Sequence, residues 1–139
     1  IVGAIQKLFE KYEIEVQGKR VVVIGAGRLV GQPVSAWLRQ AGAVVTIISD
    51  KHFDLDACVR ADIIVSGAGN PRLITADMIN THAVVVDCGT SELKGVIAGD
   101  VDFDEVSKKA AYLTPQKGGV GPLTVACVFQ NLVDLVTKK

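Results

Sequence analysis

The chain has 139 residues, which is the length of one ordinary domain and leaves no room for two full domains. Lys and Arg number 15 and Asp and Glu also number 15, so no net positive field exists that would attract a polyanion. Apolar residues make up 49% of the chain and aromatic residues only 5%. This composition predicts a globular fold with an aliphatic core and argues against a nucleic-acid partner, because a base-stacking surface needs aromatic side chains.

The cysteines and histidines argue against a disulfide framework and against a metal site. Cys58, Cys88 and Cys127 are an odd number and include no C-x-x-C pair. His52 and His82 lack the spacing of a metal-binding motif. No signal peptide and no unbroken membrane-length apolar segment is present. We therefore expect a chain without metal or membrane contacts that works in a reducing compartment, the cytoplasm.

The first half of the chain alternates helical and strand patterns. Apolar positions at helical spacing predict helices, and β-branched apolar runs predict strands that are buried on both faces. Gly42 suits the left-handed position that ends a helix. The predicted elements are, in order, an amphipathic helix over 1–13, a turn around Gly18, a strand over 21–24, a helix with apolar positions from 30 to 41, and a strand over 44–48.

The second half continues the alternation, with weaker signals. Its predicted elements are a short helix near 54–60, a strand over 63–66, a turn or short helix from Thr75 with its hydroxyl as a possible cap, a strand over 83–87, a helix over 103–110, a short strand over 112–114, and a long helix over 123–136. This order predicts a single α/β domain with a Rossmann-like, doubly wound parallel sheet and helices on both faces. In such sheets ligands bind beyond the carboxyl ends of the strands.

A glycine-rich turn follows the first predicted strand and leads into a helix. It has the pattern G-x-G-x-x-x-G, one residue longer than the usual dinucleotide motif. Glycines allow the backbone to approach a pyrophosphate, and the helix N-terminus offers free N–H groups. The alternative is a tight turn without a ligand. The candidate binding residues of this turn are Gly25, Ala26, Gly27, Arg28, Leu29 and Val30.

An acidic residue follows the second predicted strand, at the place where dinucleotide-binding domains contact the adenosine ribose. Asp50 lies about 20 residues beyond Gly31, and its carboxylate can accept hydrogen bonds from both ribose hydroxyls. The 2′-phosphate of NADP would be repelled there, so the sequence favours NAD over NADP. Lys51 and Arg28 weaken this argument, and Asp50 can also simply begin the next turn.

Two further predicted strands end in small residues. Gly67, Ala68 and Gly69 follow the third strand, and Thr90 lies just after the fourth. Such residues permit close approach to a flat ligand, although they are also ordinary turn residues.

No motif for independent catalysis was found in the sequence. The acidic residues around 100–105 have the pattern of a solvated helix start, and we predict no catalytic residue in this chain.

Four segments of the chain together form one pattern. They are 23–33 around the glycine turn, Asp87-Cys88-Gly89, Gly99-Asp100-Val101-Asp102-Phe103, and Thr114-Pro115 followed by Gly118-Gly119-Val120-Gly121-Pro122-Leu123-Thr124. In their order and spacing they resemble the cofactor domain of the methylenetetrahydrofolate dehydrogenase/cyclohydrolase family. The resemblance runs from the first helix to the last, and the final segment with its preceding Thr-Pro is specific to that family.

The resemblance implies one half of a two-domain enzyme that oxidises 5,10-methylenetetrahydrofolate with NAD(P) and usually hydrolyses the methenyl product. The family's folate site and its catalytic Tyr-x-x-x-Lys lie in an N-terminal domain. Neither Tyr12 nor Tyr112 has a lysine four places on, so we expect this chain alone to be inactive. Family members also pair as dimers, and a homodimer is a possible assembly.

The same resemblance supplies expectations for individual residues. Val30, Thr90 and Thr124 match positions that line the nicotinamide end of the cofactor. Ala26 and Gly27 stand where the family commonly has Arg and Ser, which hold the 2′-phosphate of NADP. Asp50 replaces a serine that faces the same phosphate. These departures favour NAD or a loss of binding. Gln116-Lys117 replaces the usual Val-Pro and leaves the shape of that loop in doubt.

Two alternatives remain open from the sequence. The chain could be an independent, non-catalytic nucleotide-binding or interaction module, or part of another two-domain dehydrogenase, which the segment 118–124 argues against. If the first helix and helix 123–136 face a partner domain, Ile1, Ile5 and Phe9 should form an exposed apolar patch in this chain. An independent module should not show that patch.

Overall fold

The computed structural model describes residues 1–49, 53–89, 91–115 and Val120. Four α-helices, seven strands and one 3-10 turn lie in these ranges. They are, in chain order, α1 (Val2–Lys11), β1 (Arg20–Ile24), α2 (Gly31–Gln40), β2 (Val44–Ile48), α3 (Leu55–Arg60), β3 (Ile63–Ser66), the 3-10 turn (Ala76–Met78), β4 (Val84–Asp87), β5 (Ser91–Leu93), β6 (Val96–Ala98), α4 (Phe103–Ser107) and β7 (Tyr112–Leu113).

Five strands form one parallel sheet in the order β2-β1-β3-β4-β7. Val22 of β1 lies opposite Thr46 of β2 on one side and Ile64 of β3 on the other. The chain therefore leaves β1 towards β2 and returns to the other side of β1 with β3. This reversal creates a crevice at the carboxyl ends of β1 and β3, the usual ligand position in such sheets.

Each face of the sheet has its own apolar core. Alternate residues of β1 point to opposite faces, so Val21 and Val23 join one core and Val22 and Ile24 the other. The first core includes residues of α1 and α2, and the second includes Cys58 of α3 and Val106 of α4. The predicted doubly wound α/β fold with helices on both faces is confirmed.

The positions of most predicted elements agree with the structure within a few residues. Gly42 has a φ of +90° just after α2, as the helix-ending role requires. The hairpin of β5 and β6 was not predicted, and the helix predicted over 103–110 ends at Ser107. Thr75 is the N-cap residue of the 3-10 turn, as expected, but its hydroxyl makes no capping hydrogen bond and donates to the carboxylate of Asp77 instead. The helix predicted over 123–136 lies outside the described residues.

The expectation that Ile5 and Phe9 are exposed in this chain is also wrong. Ala4, Ile5 and Phe9 of α1 are buried and belong to the same core as Val21 and Val86. The Phe9 ring lies 6.0 Å from the ring of Trp37 on α2. These residues of α1 are therefore part of this domain's own core. None of the described helices has the length and the hydropathy that a membrane-spanning segment requires.

Candidate functional site

The glycine turn after β1 has a backbone shape that depends on Gly25. This residue has a φ of +100°, which other residues rarely adopt, and its N–H donates to the carbonyl of Ile48 at the end of β2. A Cβ atom on Gly31 would overlap the carbonyl group of Gly25. The start of α2 therefore lies directly against the end of β1, which is possible only with glycine at both positions.

The turn presents unpaired backbone donors to solvent. Ala26, Gly27 and Arg28 are exposed, and their N–H groups find no acceptor among the described residues. They precede the N-terminus of α2, where the helix dipole favours negative charge. Space is also open at Gly27, because a Cβ atom there would meet no atom within 4 Å. This arrangement suits an anion such as a pyrophosphate.

The turn after β3 packs against the glycine turn. The N–H of Gly67 donates to the carbonyl of Ile24 over 2.8 Å, and a Cβ atom on Gly67 would lie 2.6 Å from Cγ1 of Val30. Val30, at the start of α2, is buried and packs against this turn. Three of the predicted site residues, Gly25, Val30 and Gly67, are thus brought together.

A buried carboxylate holds the turn after β3 in place. Asp100 is 0% exposed, and one of its oxygens, Oδ2, accepts hydrogen bonds from the Ser66 hydroxyl (2.6 Å) and the Ala68 N–H (2.8 Å). Its Oδ1 accepts from the Asn70 N–H over 3.0 Å. The prediction that Asp100 belongs to a solvated helix start is wrong, because the hairpin between β4 and α4 returns the chain under the sheet edge.

A second carboxylate at the end of β4 fixes the segment that carries Asp100. Asp87 accepts hydrogen bonds from the N–H groups of Gly89 (2.9 Å), Asp100 (3.1 Å) and Val101 (3.2 Å). Burial raises the pKa of Asp87, and these backbone donors oppose that change. No ion pair in the described part of the chain includes either carboxylate, so backbone donors carry most of the compensation.

The described thiols are not suited to nucleophilic chemistry. Cys88 is partly buried beside this network, and burial, followed by the negative charge of Asp87, raises its pKa to about 12. Burial raises the pKa of Cys58 to about 11. Both thiols are therefore protonated at neutral pH.

The other predicted site residues take different positions. Arg28 and Leu29 lie at the surface of the glycine turn, and Leu29 is 84% exposed. Ala68 is half-buried, and Gly69 is exposed with a φ of +68°. Asp50, Thr90 and Thr124 lie outside the described residues. The binding roles of all these residues stay predictions.

Asp87, Asp100 and Ser66 were missed as site residues. Asp87 and Ser66 are the last residues of their strands, a position that already indicates the sheet's carboxyl edge. No local sequence pattern shows that Asp100 lies beneath the same edge.

A comparison with protein families identifies the family to which this chain is related. The profile described as the NAD(P)-binding domain of tetrahydrofolate dehydrogenase/cyclohydrolase matches residues 2–139. The chain belongs to this family.

Curated relatives give the same result and show how much of them the chain covers. The protein named bifunctional protein FolD of Nautilia profundicola is 48% identical over 131 residues, which are 93% of this chain and 46% of that protein. The protein of the same name from Nitrosospira multiformis is 45% identical over 94% of this chain and 46% of its own length. The chain thus spans about half the length of the curated relatives it matches.

Solved structures of the family are similar in fold. The FolD dehydrogenase/cyclohydrolase of Campylobacter jejuni has a TM-score of 0.91 and 44% identity, covering 94% of this chain and 47% of its own. The Trypanosoma brucei FolD, complexed with NADP cofactor and inhibitor, has a TM-score of 0.90 and 36% identity, covering 99% of this chain and 50% of its own.

The described residues fit a dinucleotide. The N–H groups of Ala26, Gly27 and Arg28, which have no acceptor among the described residues, have the geometry to bind a pyrophosphate, and the open space at Gly27 leaves room for it. The crevice is bounded on one side by Ile48 at the end of β2 and on the other by the turns after β3 and β4.

Proposed function

We propose that this domain binds NAD(P) along the carboxyl edge of its sheet and presents the nicotinamide to a folate, as the cofactor half of a methylenetetrahydrofolate dehydrogenase/cyclohydrolase. The observation that carries this proposal is the glycine turn at the start of α2, whose N–H groups at residues 26–28 have no acceptor in the part of the chain that the structure describes. The bound cofactor would supply hydride transfer. The residues of this chain would orient it, and catalysis of that step depends mainly on positioning.

The folate site and the acid–base residues would belong to a second domain. This part of the proposal is supported by the FolD relatives, of which the chain spans about half. The first helix and the segment 123–136 are the candidate contacts with that domain, and a homodimer is a further candidate assembly. The free thiols of Cys58 and Cys88 support a reducing compartment such as the cytoplasm.

Two lines of reasoning favour different cofactors. The Trypanosoma brucei relative is complexed with NADP, which favours NADP. In this chain Ala26 and Gly27 offer no side chain that could hold a 2′-phosphate, and Asp50 would repel it. We retain NAD as the hypothesis for this chain. The residues at positions 26, 27 and 50 differ from those usual in the family, and they are the residues that would face the 2′-phosphate.

Calorimetric titration of the 139-residue chain with NAD and, separately, with NADP tests both points. Binding of either cofactor supports the proposed function, and NAD binding that is tighter than NADP binding supports the preference. The Asp50→Ser variant should then bind NADP more tightly and NAD less tightly. The matched control is Asp54→Ser, which keeps a helix-capping side chain and should leave the preference unchanged. No heat with either cofactor would contradict cofactor binding by this chain.

The second candidate function is an independent, non-catalytic binding module. The burial of Ile5 and Phe9 within the domain's own core favours it, since these residues do not need a partner. Adding the separate folate domain of a FolD relative distinguishes the two functions. Dehydrogenase activity that appears only in the mixture supports the enzyme half, whereas no association supports the independent module.

A further inference from the structure

We propose that Asp100 is a positioning residue for the nicotinamide side of the cofactor site, acting through the backbone of the turn at 67–70. This inference rests on the proposed function, because it assigns a role within that site. Asp100 itself does not line the crevice. It is fully buried and lies below the turn that does.

The side-chain hydrogen bonds that Asp100 makes with the described residues all come from the turn or from the strand that precedes it. The Ser66 hydroxyl at the end of β3 and the N–H groups of Ala68 and Asn70 donate to its two oxygens. A carboxylate is the natural group here, because both of its oxygens accept and neither donates. The turn therefore has one conformation in which all three donors are satisfied.

The turn transmits this constraint to the cofactor-facing surface. Gly67 contacts Val30 and lies against Gly25, so a shift of the turn would move the wall of the crevice. Because β3 lies on the opposite side of β1 from β2, the adenosine side of the crevice would be linked to these contacts indirectly, through the hydrogen bond from the Gly25 N–H to the Ile48 carbonyl. A change at Asp100 should therefore affect the two halves of a dinucleotide differently.

The backbone of Asp100 is also fixed by hydrogen bonds to neighbouring segments. Its own N–H and that of Val101 donate to Asp87, and its carbonyl accepts from the Ile74 N–H over 2.9 Å. A Cβ atom on Gly99 would overlap the Asp87 carboxylate, and a Cβ atom on Gly89 would overlap that of Asp100. The backbone at residue 100 is thus fixed independently of its own side chain, which makes a side-chain substitution interpretable.

The test is the Asp100→Asn variant of the 139-residue chain. The amide is nearly the same size as the carboxylate, but its NH2 group must face either the Ala68 N–H or the Asn70 N–H, so one of them loses its acceptor. The matched control is Asp102→Asn, the same change two residues away, where the side chain makes no hydrogen bond to the described residues. A graded variant is Ser66→Ala, which removes one donor and leaves both backbone hydrogen bonds.

The first readout is affinity for the dinucleotide compared with affinity for AMP. Asp100→Asn should weaken binding of the preferred dinucleotide about tenfold or more and leave AMP binding within about twofold, with a smaller effect for Ser66→Ala. Equal loss of both ligands would show a merely structural role and overturn the proposal. Unchanged dinucleotide binding in a folded variant would also overturn it.

The second readout is amide hydrogen exchange, which does not depend on a cofactor. In the wild type the N–H of Asn70 should be protected by its hydrogen bond to Asp100, although the residue is exposed. Asp100→Asn should accelerate exchange at Ala68 and Asn70, while Val23 of β1 keeps its protection. Uniform acceleration, or no change, would contradict a local role for Asp100. If the wild type binds no dinucleotide, the proposed function fails, and the exchange rates still decide whether Asp100 holds the turn.

Discussion

A Cβ atom on Gly25 would lie 2.8 Å from the carbonyl oxygen of Gly67. The ends of β1 and β3 therefore approach each other more closely than any residue with a side chain would allow at position 25. This contact joins the glycine turn to the turn after β3 and forms the floor of the crevice.

Replacing Gly25 with alanine should destabilise the domain and abolish cofactor binding. The positive φ and the crowded Cβ atom should together lower the free energy of unfolding by about 2 to 4 kcal/mol. Urea denaturation measures this change. Gly27→Ala is the matched control, because its Cβ atom meets nothing within 4 Å and should cost much less. Equal losses in both variants would contradict this account of Gly25.

Gly67 and Val30 should be energetically coupled. Gly67→Ala should lower the free energy of unfolding by about 1 to 3 kcal/mol, because its Cβ atom would lie 2.6 Å from Val30 Cγ1. Val30→Ala removes Cγ1 and Cγ2 but keeps the Val30 Cβ atom, which would lie 2.7 Å from the new Cβ atom. The clash is therefore relieved in part, and the double variant should be more stable than the sum of the single changes predicts by about 0.5 kcal/mol. A double-mutant cycle in urea measures the coupling. Strict additivity would show that the two residues do not clash.

Ser35→Ala should stabilise the protein. The Ser35 hydroxyl on α2 is buried and has no hydrogen-bond partner in the described part of the chain. Its removal should raise the free energy of unfolding by about 1 kcal/mol, since alanine also favours the helix. The control is Ala36→Ser, the reverse change at an exposed neighbour, which reports helix propensity alone. A gain at residue 35 no larger than the loss at residue 36 would mean that the buried hydroxyl costs nothing.

Stability above pH 9 should depend on Cys88. Its pKa is raised from 9.0 in the unfolded chain to about 12 in the fold, mainly by burial. Between these values the unfolded chain releases the proton first, so the contribution of Cys88 to stability falls as the pH rises from about 9 towards 12. Cys88→Ser removes this group.

The measurement is urea denaturation of the wild type and Cys88→Ser at several pH values from 8 to about 10.5. Above pH 9 the wild type should lose stability relative to the variant as the pH rises. Lysine titration is common to both proteins, so the difference between their free energies of unfolding reports the thiol. Parallel stability curves would contradict a raised thiol pKa.

The sequence predicted the glycine turn and the sheet well because their signals are local. The β-branched run at 21–24 specifies a buried strand by itself, and glycine is strongly favoured where φ is as positive as the +100° of Gly25 and the +90° of Gly42. The hairpin of β5 and β6 was missed because each of its strands has only three residues. Too few positions alternate there for a period to be detected.

The burial of α1 shows a different limit. Its helical pattern identified an apolar face, and that face is real, but the pattern does not say which surface covers it. The expectation assigned Ile5 and Phe9 to a partner domain, whereas the fold brings them against Val21, Val86 and Trp37 of the same chain.

The sequence by itself determined the order of strands and helices, the glycine turn and the membership of a family, because these depend on residues that are neighbours along the chain. Only the tertiary structure decided the roles of Asp87 and Asp100. They lie 13 residues apart with a hairpin between them, and their hydrogen bonds exist because that hairpin returns the chain beneath the sheet edge. Whether an aspartate is solvated or buried depends on what the fold places around it, which no local pattern records.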